Sequence, residues 1–294
     1  MTAGWSERDP ARILVTGCSS GIGRALCAEL RERGHRVIAT ARDTTALAAL
    51  PAHAHLELDV TDTASIAEAA DAAGPVDVLI NNAGVSAWAP LEMMPVSTAQ
   101  RVFDTNVWGM LRVCQAFLPA MRSNRRGRVI NVSSAALRGY PMLGLYAASK
   151  TALESLSEAM RLELAAFGVD VVLAEPAAVI TSFGANRLPV EPADPGYDEL
   201  TQRAFRFIQG MRATTLSAAE AAVFIADMVE LDDPPLRVPV GDDAKRITAE
   251  RHTIGDEEFE RSVLSSLRTG RAGRRGRTPG PCRRSPPDRW PTGS

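Results

Sequence analysis

The chain has 294 residues, of which 45% are hydrophobic and 23% are charged, and its formal net charge is −2 at pH 7. This is ordinary globular composition, sufficient for one large or two small domains. Because the overall charge is close to zero, nothing points to nucleic acid or an anionic membrane surface as a partner, and a small, largely uncharged molecule is favoured.

Cysteine usage and the N-terminal segment predict a protein of the reducing cytoplasm. The four cysteines are far apart and form no CxxC pair, which is typical of neither a disulfide framework nor a thiolate zinc site. The four histidines have no metal-ligand spacing, so we expect no metal. The N-terminus has no apolar signal core, and no long apolar run occurs, so we expect neither secretion nor a membrane span.

Short apolar runs alternate with segments of helical periodicity along most of the chain. Strands that alternate with helices imply right-handed βαβ crossovers and a parallel sheet, and nearly all-apolar strands imply helices on both faces. We therefore predict one α/β domain, residues 11–267, with a Rossmann-type doubly wound parallel sheet. The predicted strands are residues 12–16, 36–41, 55–60, 76–82, 127–134, 169–176 and 237–241, and the predicted helices are 24–33, 44–50, 65–73, 97–122, 147–167 and 217–231.

Three segments lie outside this repeating pattern. Residues 181–215 follow the sixth strand at the ligand side of the sheet and are a candidate substrate lid, whose apolar side chains would either cover a lipophilic substrate or only pack on the domain. Residues 248–267 contain a helical pattern that would suit a dimer interface. Residues 1–10 are expected to be flexible.

Residues 268–294 form a basic tail with eight Arg and one Asp, rich in Gly and Pro. Such a segment has too few apolar side chains to offset its ordering entropy, so we predict disorder. An RNA- or phosphate-binding arm is the alternative.

A glycine-rich turn is predicted between the first strand and the first helix. Glycines let the backbone approach a pyrophosphate, and the helix N-terminus presents free N–H groups and the positive end of the helix dipole. A glycine pattern alone is weak evidence, but its place between strand and helix makes it specific. The predicted cofactor-binding residues of this turn are Gly17, Ser19, Ser20, Gly21, Ile22 and Gly23.

The end of the second predicted strand bears on the choice between NAD and NADP. In dinucleotide folds an acid at this place bonds the ribose hydroxyls of NAD, whereas an Arg accommodates the 2′-phosphate of NADP. Here Ala41 stands where the acid is expected and Arg42 follows it, which favours NADP(H). Asp43 stands two residues after that position and keeps NAD(H) open as the cofactor.

Tyr146 and Lys150 are four residues apart on a predicted helix and therefore share one face. A Lys charge favours the phenolate and should lower the Tyr pKa from about 10 towards the working range, as a general acid/base requires.

In this order, the TGxxxGIG turn, the NNAG segment at residues 81–84, Asn106 and the YxxxK pair resemble the short-chain dehydrogenase/reductase family over about residues 11–241. The fragments TGCSSGIG, ATARD and AFLPAM resemble its NADP(H)-dependent hydroxysteroid and retinol dehydrogenase subgroup. The resemblance implies hydride transfer between NADP(H) and a small-molecule alcohol or carbonyl substrate, by a homodimer or homotetramer.

The resemblance also implies individual roles. Tyr146 would exchange a proton with the substrate oxygen, and Lys150 would bind the nicotinamide ribose. Asn106 would hold a water that links Lys150 to solvent; the alternative is a polar residue satisfied locally. Further cofactor contacts are implied for Asp59 at the adenine amino group, for Val60 beside it, and for Asn82, Ala83 and Gly84 on the adenosine side.

Two serines compete for the role of polarising the substrate oxygen. The family's usual spacing back from the tyrosine favours Ser133, whereas alignment of the strand GRVINVSS favours Ser134. Because a strand slip turns every side chain over while a loop tolerates a deletion, we choose Ser134.

One departure from the family pattern follows the sixth strand, where Pro176-Ala177 replaces the usual Pro-Gly. Thr181 and the backbone of Val179 would still contact the nicotinamide carboxamide. Since Ala cannot reach all the conformations of Gly, this contact is the part of the site most open to change.

Taken together, the sequence predicts an NADP(H)-dependent oxidoreductase that interconverts a secondary alcohol and a ketone or aldehyde on a lipophilic or small substrate. The alternatives are the same chemistry with NAD(H), or a catalytically silent NADP-binding sensor or scaffold. The presence of Asn106, Ser134, Tyr146 and Lys150 together argues against a silent protein.

Overall fold

The computed structural model describes residues 10–184, 187–190, 194–210 and 214–269. Seven strands form one parallel sheet, and two short strands, β7 (Val179–Ile180) and β8 (Leu216–Ser217), form a separate parallel pair. The strands of the main sheet are β1 (Arg12–Val15), β2 (Arg36–Ala41), β3 (Ala54–Glu57), β4 (Val78–Asn81), β5 (Gly127–Val132), β6 (Val169–Pro176) and β9 (Arg237–Val240), and their spatial order is β3-β2-β1-β4-β5-β6-β9.

Helices cover both faces of this sheet because its strands are buried on both sides. Ile13 and Val15 pack against the helices that cover one face, while Leu14 between them packs against the helices that cover the other. The predicted doubly wound, Rossmann-type sheet is therefore confirmed. The helices are α1 (Gly21–Glu32), α2 (Thr63–Ala73), α3 (Val96–Phe103), α4 (Met110–Ser123), α5 (Gly144–Ala165), α6 (Asp198–Gly210), α7 (Ala218–Glu230), α8 (Asp242–Thr253) and α9 (Asp256–Thr269).

The strand order reverses between β1 and β4, which pair directly through Leu14 and Leu79. In an open parallel sheet a crevice forms at this switch point, beyond the carboxyl ends of the strands. The turns after β1, β4, β5 and β6 therefore converge on one edge of the sheet.

Two predicted helices differ from the structure. Residues 44–50 hold only a 3₁₀ turn at Thr44–Leu47, because Asp43 caps it by accepting from the Thr45 amide and no further turn follows. The predicted continuous helix at residues 97–122 is interrupted by a π-helical segment at Asp104–Gly109, which joins α3 to α4 and contains Asn106. Such π-turns widen the helix locally and are frequent at functional sites.

The C-terminal helical pattern becomes two helices, α8 and α9. On α9, Val263 and Leu267 are buried against Phe207 of α6 and Tyr140, so this face is occupied within the chain. Residues 1–9 and 270–294 lie outside the described residues, so the predictions of a flexible N-terminus and a disordered tail stay predictions. In the described ranges no helix combines the length and the apolarity needed to cross a membrane.

Candidate active site

A cavity of about 630 Å³ opens at the edge of the sheet where β1 and β4 end. All the predicted site residues line it except Gly23 and Asn106, which lie directly behind its wall. The predicted residues that line the cavity are Gly17, Ser19, Ser20, Gly21, Ile22, Arg42, Asp59, Val60, Asn82, Ala83, Gly84, Ser134, Tyr146, Lys150, Pro176, Val179 and Thr181.

The glycine turn after β1 is compact enough to require glycine at three positions. Gly17 and Gly21 have φ of +72° and +57°, a region that side chains disfavour. A Cβ on Gly17 would lie 2.9 Å from the Ala83 Cα, and a Cβ on Gly23 would lie 2.4 Å from the Gly17 carbonyl oxygen. The turn therefore exposes backbone, not side chains, to the cavity.

The start of α1 can receive an anion. Ser20 is its N-cap but makes no side-chain capping bond, and the first turn contains no acid. The free N–H groups therefore face the cavity without an internal competitor. The turn is held from behind by Thr16, whose Oγ1 accepts from the amides of Asn82 and Ala83, both at 3.0 Å.

Arg42 is exposed at the cavity edge, and no ion pair is formed by it within the described part of the chain. Asp43 turns away from it, because the Asp43 carboxylate accepts from the Thr45 amide and hydroxyl at 2.8 and 2.7 Å. These two bonds hold the pKa of Asp43 below its ordinary value. Arg42 is thus available for an anionic group at this edge.

Asp59 also lines the cavity and keeps one carboxylate oxygen bonded to Thr61, whose amide and hydroxyl donate at 2.9 and 2.8 Å. Val60 is buried behind it, and the backbone of Gly109 in the π-helical segment packs so closely that a Cβ there would lie 2.8 Å from Val60 Cγ2. The π-helical segment therefore helps to shape this wall.

The two serines at the end of β5 point to different neighbours. Ser133 donates to Glu154 Oε1 over 2.7 Å, away from the cavity's tyrosine. Ser134 instead makes a hydrogen bond with Tyr146, which lowers the Tyr146 pKa, and accepts from the Ala136 amide at 3.2 Å. The geometry therefore brings Ser134, not Ser133, to the tyrosine.

Tyr146 and Lys150 lie one turn apart on α5, but their pKa shifts differ from the sequence expectation. Burial raises the pKa of Tyr146 to about 12, and the Ser134 bond offsets only part of this. Lys150 is not among the causes, since its Nζ donates to the Val132 carbonyl over 2.7 Å. Burial lowers the pKa of Lys150 to about 8, against the opposing charge of Glu154. The predicted lowering of the Tyr146 pKa by Lys150 is therefore absent from the protein alone.

Asn106 is buried in the π-helical segment and is fully engaged. Its Oδ1 accepts from the Val85 amide at 2.8 Å, and its Nδ2 donates to the Val85 carbonyl at 2.9 Å and to Ser149 Oγ at 3.0 Å. The side chain is therefore satisfied locally, as the second sequence alternative expects, while the water relay to Lys150 stays a prediction.

Ala177 replaces glycine without backbone strain, because the non-glycine residues with positive φ in the described ranges are Arg125 and Met142. The Pro176 carbonyl accepts from the Ala135 amide at 2.9 Å. Thr181 follows, with its Oγ1 accepting from the Phe183 amide at 3.2 Å.

Some aromatic residues of the candidate lid line the cavity, whereas others pack on the domain. Phe183 lies edge-on to Tyr146, with ring centroids 5.8 Å apart, and lines the cavity. Phe207 instead is buried against Tyr140 in the domain, and Phe205 contacts Trp88. Met211, another apolar residue of the predicted lid segment, lies outside the described residues.

Sequence reasoning missed two buried acids under the site, Glu154 and Glu175, each at most 2% exposed. Two signals were available. Glu154 stands one helical turn after Lys150, and Glu175 follows four consecutive apolar residues of β6.

Comparison with known proteins shows the family of this chain. The family model described as short chain dehydrogenase matches residues 11–191. A 3-ketodihydrosphingosine reductase of Bacteroides thetaiotaomicron is 34% identical over 239 residues, covering 79% of this chain and 88% of that protein. Human retinol dehydrogenase 8 is 35% identical over 250 residues, covering 78% and 80%. Mouse 17-beta-hydroxysteroid dehydrogenase type 1 is 42% identical over 192 residues, covering 60% and 56%.

Among solved structures, a short chain dehydrogenase from Burkholderia cenocepacia in complex with NADP has a TM-score of 0.71 and 28% identity, covering 87% of this chain and 98% of that one. The expected resemblance to hydroxysteroid and retinol dehydrogenases is confirmed by these relatives. The chain belongs to the short-chain dehydrogenase/reductase family and is an oxidoreductase.

Proposed function

We propose that this protein is an NADP(H)-dependent oxidoreductase that interconverts a secondary alcohol and a ketone or aldehyde. The observation that carries the proposal is the convergence of Ser134, Tyr146 and Lys150 on the cavity whose far end is the glycine turn. One cavity thus offers both a dinucleotide cradle and a proton donor.

The residues present fit a dinucleotide. Any Cβ at Gly17 would fill the space at the glycine turn, so glycine keeps that space open. The start of α1, which has no side-chain cap, suits the pyrophosphate. Asp59 would bind the adenine amino group, and Val179 and Thr181 the nicotinamide carboxamide. Arg42, free of an ion pair with Asp43, supports a 2′-phosphate and therefore NADP(H) over NAD(H). When bound, the nicotinamide supplies the hydride chemistry.

In carbonyl reduction, Tyr146 gives its phenolic proton to the substrate oxygen, and the Ser134 hydroxyl polarises that oxygen. The resulting phenolate needs a nearby cation, because burial alone holds the pKa of Tyr146 at about 12. Lys150 supplies that cation when its ammonium group moves from the Val132 carbonyl oxygen towards the Tyr146 hydroxyl. In alcohol oxidation the same proton runs in reverse.

Asn106 supports this transfer as a positioning residue. It fixes the loop after β4 through Val85 and the helix α5 through Ser149, so it aligns the two walls of the cavity next to Lys150. We propose that the π-helical segment holds the water through which Lys150 exchanges its proton with solvent.

The substrate is proposed to be a lipophilic or small carbonyl compound. Phe183 presents an aromatic edge to Tyr146 at the cavity, and Leu188, tied to Ser86 by a 2.8 Å backbone bond, extends the wall. The names of the relatives, which include a retinol and a hydroxysteroid dehydrogenase, support the same substrate class.

The deciding experiment is NADPH oxidation by the purified full chain with a panel of ketones and aldehydes, including steroids, retinal and short ketones. We expect turnover with at least one member, no turnover with Tyr146→Phe, and unchanged NADPH binding by that variant. Tight NADPH binding without turnover across the panel would favour the sensor or scaffold instead.

Assembly and location are also proposals. We propose a homodimer or homotetramer, in keeping with the exposed Trp108 and Leu162, which are 48% and 81% exposed on one chain. Light scattering after gel filtration tests this. We further propose a cytoplasmic location, where the buried thiols of Cys18, Cys27 and Cys114 stay free.

A further inference from the structure

Beneath the serine end of β5 lies a buried ionic cluster that the proposed chemistry does not yet use. Two carboxyls, those of Glu154 on α5 and Glu175 on β6, face each other at 2% and 1% exposure. Two partly buried arginines face them, Arg237 on β9 and Arg251 on α8. Burying charges in this way is costly unless they are closely paired.

The two arginines each serve both carboxyls. Arg251 lies 3.3 Å from Glu154 Oε2 and 3.8 Å from Glu175 Oε1. Arg237 lies 3.4 Å from Glu154 Oε2 and 3.6 Å from Glu175 Oε1, and it also pairs with the half-exposed Glu158. Three acids thus compete for two cations, so the cluster holds a proton readily. Accordingly, burial and the Glu154 charge raise the pKa of Glu175 to about 7.

Glu154 connects this cluster to the active site in two ways. Its Oε1 accepts from Ser133 Oγ over 2.7 Å, so it anchors the residue next to Ser134. It also stands four residues after Lys150 on the same face of α5, and its charge acts on Lys150 against the effect of burial. The groups facing Glu154 are therefore Lys150 and Glu158 on its own helix and Ser133, Glu175, Arg237 and Arg251 on the elements packed against it.

We propose that Glu154 is a positioning residue of this active site, which anchors the end of β5 through Ser133 and places a negative charge one helical turn from Lys150. The proposal rests on the proposed function, because it assigns Glu154 to the same Ser134, Tyr146 and Lys150 machinery. Glu175, Arg237 and Arg251 keep that charge buried at a fixed place. Helix α8 is thereby tied to catalysis through Arg251.

The chain offers a direct test, because it has two lysines, Lys150 and Lys245. Lysine labelled with ¹³C at Cε gives two resonances, of which the exposed Lys245 is an internal reference. We expect Glu154→Gln to move the titration of Lys150 to lower pH by about one unit and leave Lys245 unchanged. Glu163→Gln, an exposed acid further along α5 and outside the cluster, is the matched control and should move neither.

The activity arm uses NADPH-dependent reduction with the same variants. We expect Glu154→Gln to lower kcat by about tenfold with little change in the KM for NADPH, and to move the alkaline fall of kcat/KM to lower pH. Glu154→Asp, which keeps the charge, should restore the wild-type position of that fall but not the full kcat. Glu163→Gln should retain wild-type activity.

A lower thermal midpoint in Glu154→Gln, with the Lys150 titration and the pH profile unchanged, would show a purely structural cluster and overturn the proposal. If Glu154→Gln does not fold, Glu154→Asp and Ser133→Ala carry the test, since Ser133→Ala removes the anchor and keeps the charge. Ser133→Ala should lower kcat without moving the Lys150 titration. Absence of turnover in the wild type would count against the proposed function alone, because the lysine titration needs no substrate.

Discussion

The side-chain amide of Asn82 donates to the Gly17 carbonyl over 3.1 Å, so the loop after β4 braces the glycine turn after β1. A Cβ on Gly23 would lie 2.4 Å from both that carbonyl oxygen and Asn82 Nδ2. We therefore expect Gly23→Ala to destabilise the fold by about 1–3 kcal/mol through overpacking and to weaken NADPH binding at least about tenfold. Denaturant unfolding and NADPH fluorescence titration measure the two effects.

The matched control is Gly139→Ala, because a Cβ there meets nothing within 4 Å and the backbone is not left-handed. It should leave both quantities close to wild type. Equal losses in the two variants would mean that the tight packing behind the turn has no special role.

The second prediction concerns the pH dependence of carbonyl reduction. Burial lowers the pKa of Lys150 to about 8, so the ammonium is present below that pH and is lost as the pH rises through it. Tyr146, with its pKa raised to about 12, keeps its proton over the same range. We therefore expect kcat/KM for reduction to be level below pH 7 and to fall above pH 8. A profile that is flat to pH 10 would remove Lys150 from the mechanism.

The third prediction separates the two serines. Ser134→Ala should lower kcat by about 10²- to 10⁴-fold, because Ser134 bonds Tyr146 and would polarise the substrate oxygen. Ser133→Ala should cost much less, about tenfold, since Ser133 acts through Glu154. Steady-state kinetics on both variants decide between them. A crippled Ser133→Ala beside an active Ser134→Ala would show that the spacing back from Tyr146 is the better guide.

Much of this architecture could be predicted because local signals and global topology agree. The apolar runs of β1 and β4 and the glycine turn at Gly17 follow directly from periodicity and from the steric needs of the turn. The choice of Ser134 also followed from strand alternation, and the structure turns the two serines apart as that alternation requires.

Other features depend on tertiary contacts that no local pattern carries. The π-helical segment around Asn106 exists where Gly109 packs on Val60, across about fifty residues of sequence, so periodicity alone predicted one continuous helix. The Tyr146 pKa reflects burial, which the YxxxK spacing does not encode. Glu154 lies on α5 and Glu175 on β6, and only the fold brings the two side chains together. The sequence therefore could not identify them as a pair.

The fourth prediction concerns stability and pH. The pKa of Glu175 is about 7 in the fold, against an ordinary value of 4.5. The protonated carboxyl therefore contributes to the free energy of unfolding, and this contribution is fully present below pH 4.5 and is lost as the pH rises through about 7. Glu175→Gln stays neutral and avoids this loss. Relative to wild type, it should gain up to about 3 kcal/mol between pH 5 and pH 8. Urea unfolding at pH 5 and pH 8 tests it, with Glu163→Gln, an exposed acid outside the cluster, as the control. An identical difference at the two pH values would contradict a raised Glu175 pKa.

The fifth prediction concerns cofactor choice at the end of β2. Arg42→Ala should weaken the binding of NADPH far more than that of NADH, because the 2′-phosphate loses a charged hydrogen bond of roughly 1.5–3 kcal/mol. That corresponds to about a tenfold to a hundredfold change in the ratio of the two kcat/KM values. Adding Ala41→Asp should then move the preference towards NAD, since a carboxylate repels the phosphate and accepts from free ribose hydroxyls.

The structure also removes one competing effect, because Asp43 is held by Thr45 and does not draw Arg42 aside. Asp43→Ala is therefore the matched control and should leave the wild-type preference for NADPH in place, although the 3₁₀ turn that it caps would be weakened. The measurement is kcat/KM with both cofactors for the wild type and the three variants. A wild type that prefers NADH, with Arg42→Ala changing neither value, would show that Arg42 is only a solvated surface charge and would reverse the proposed cofactor choice.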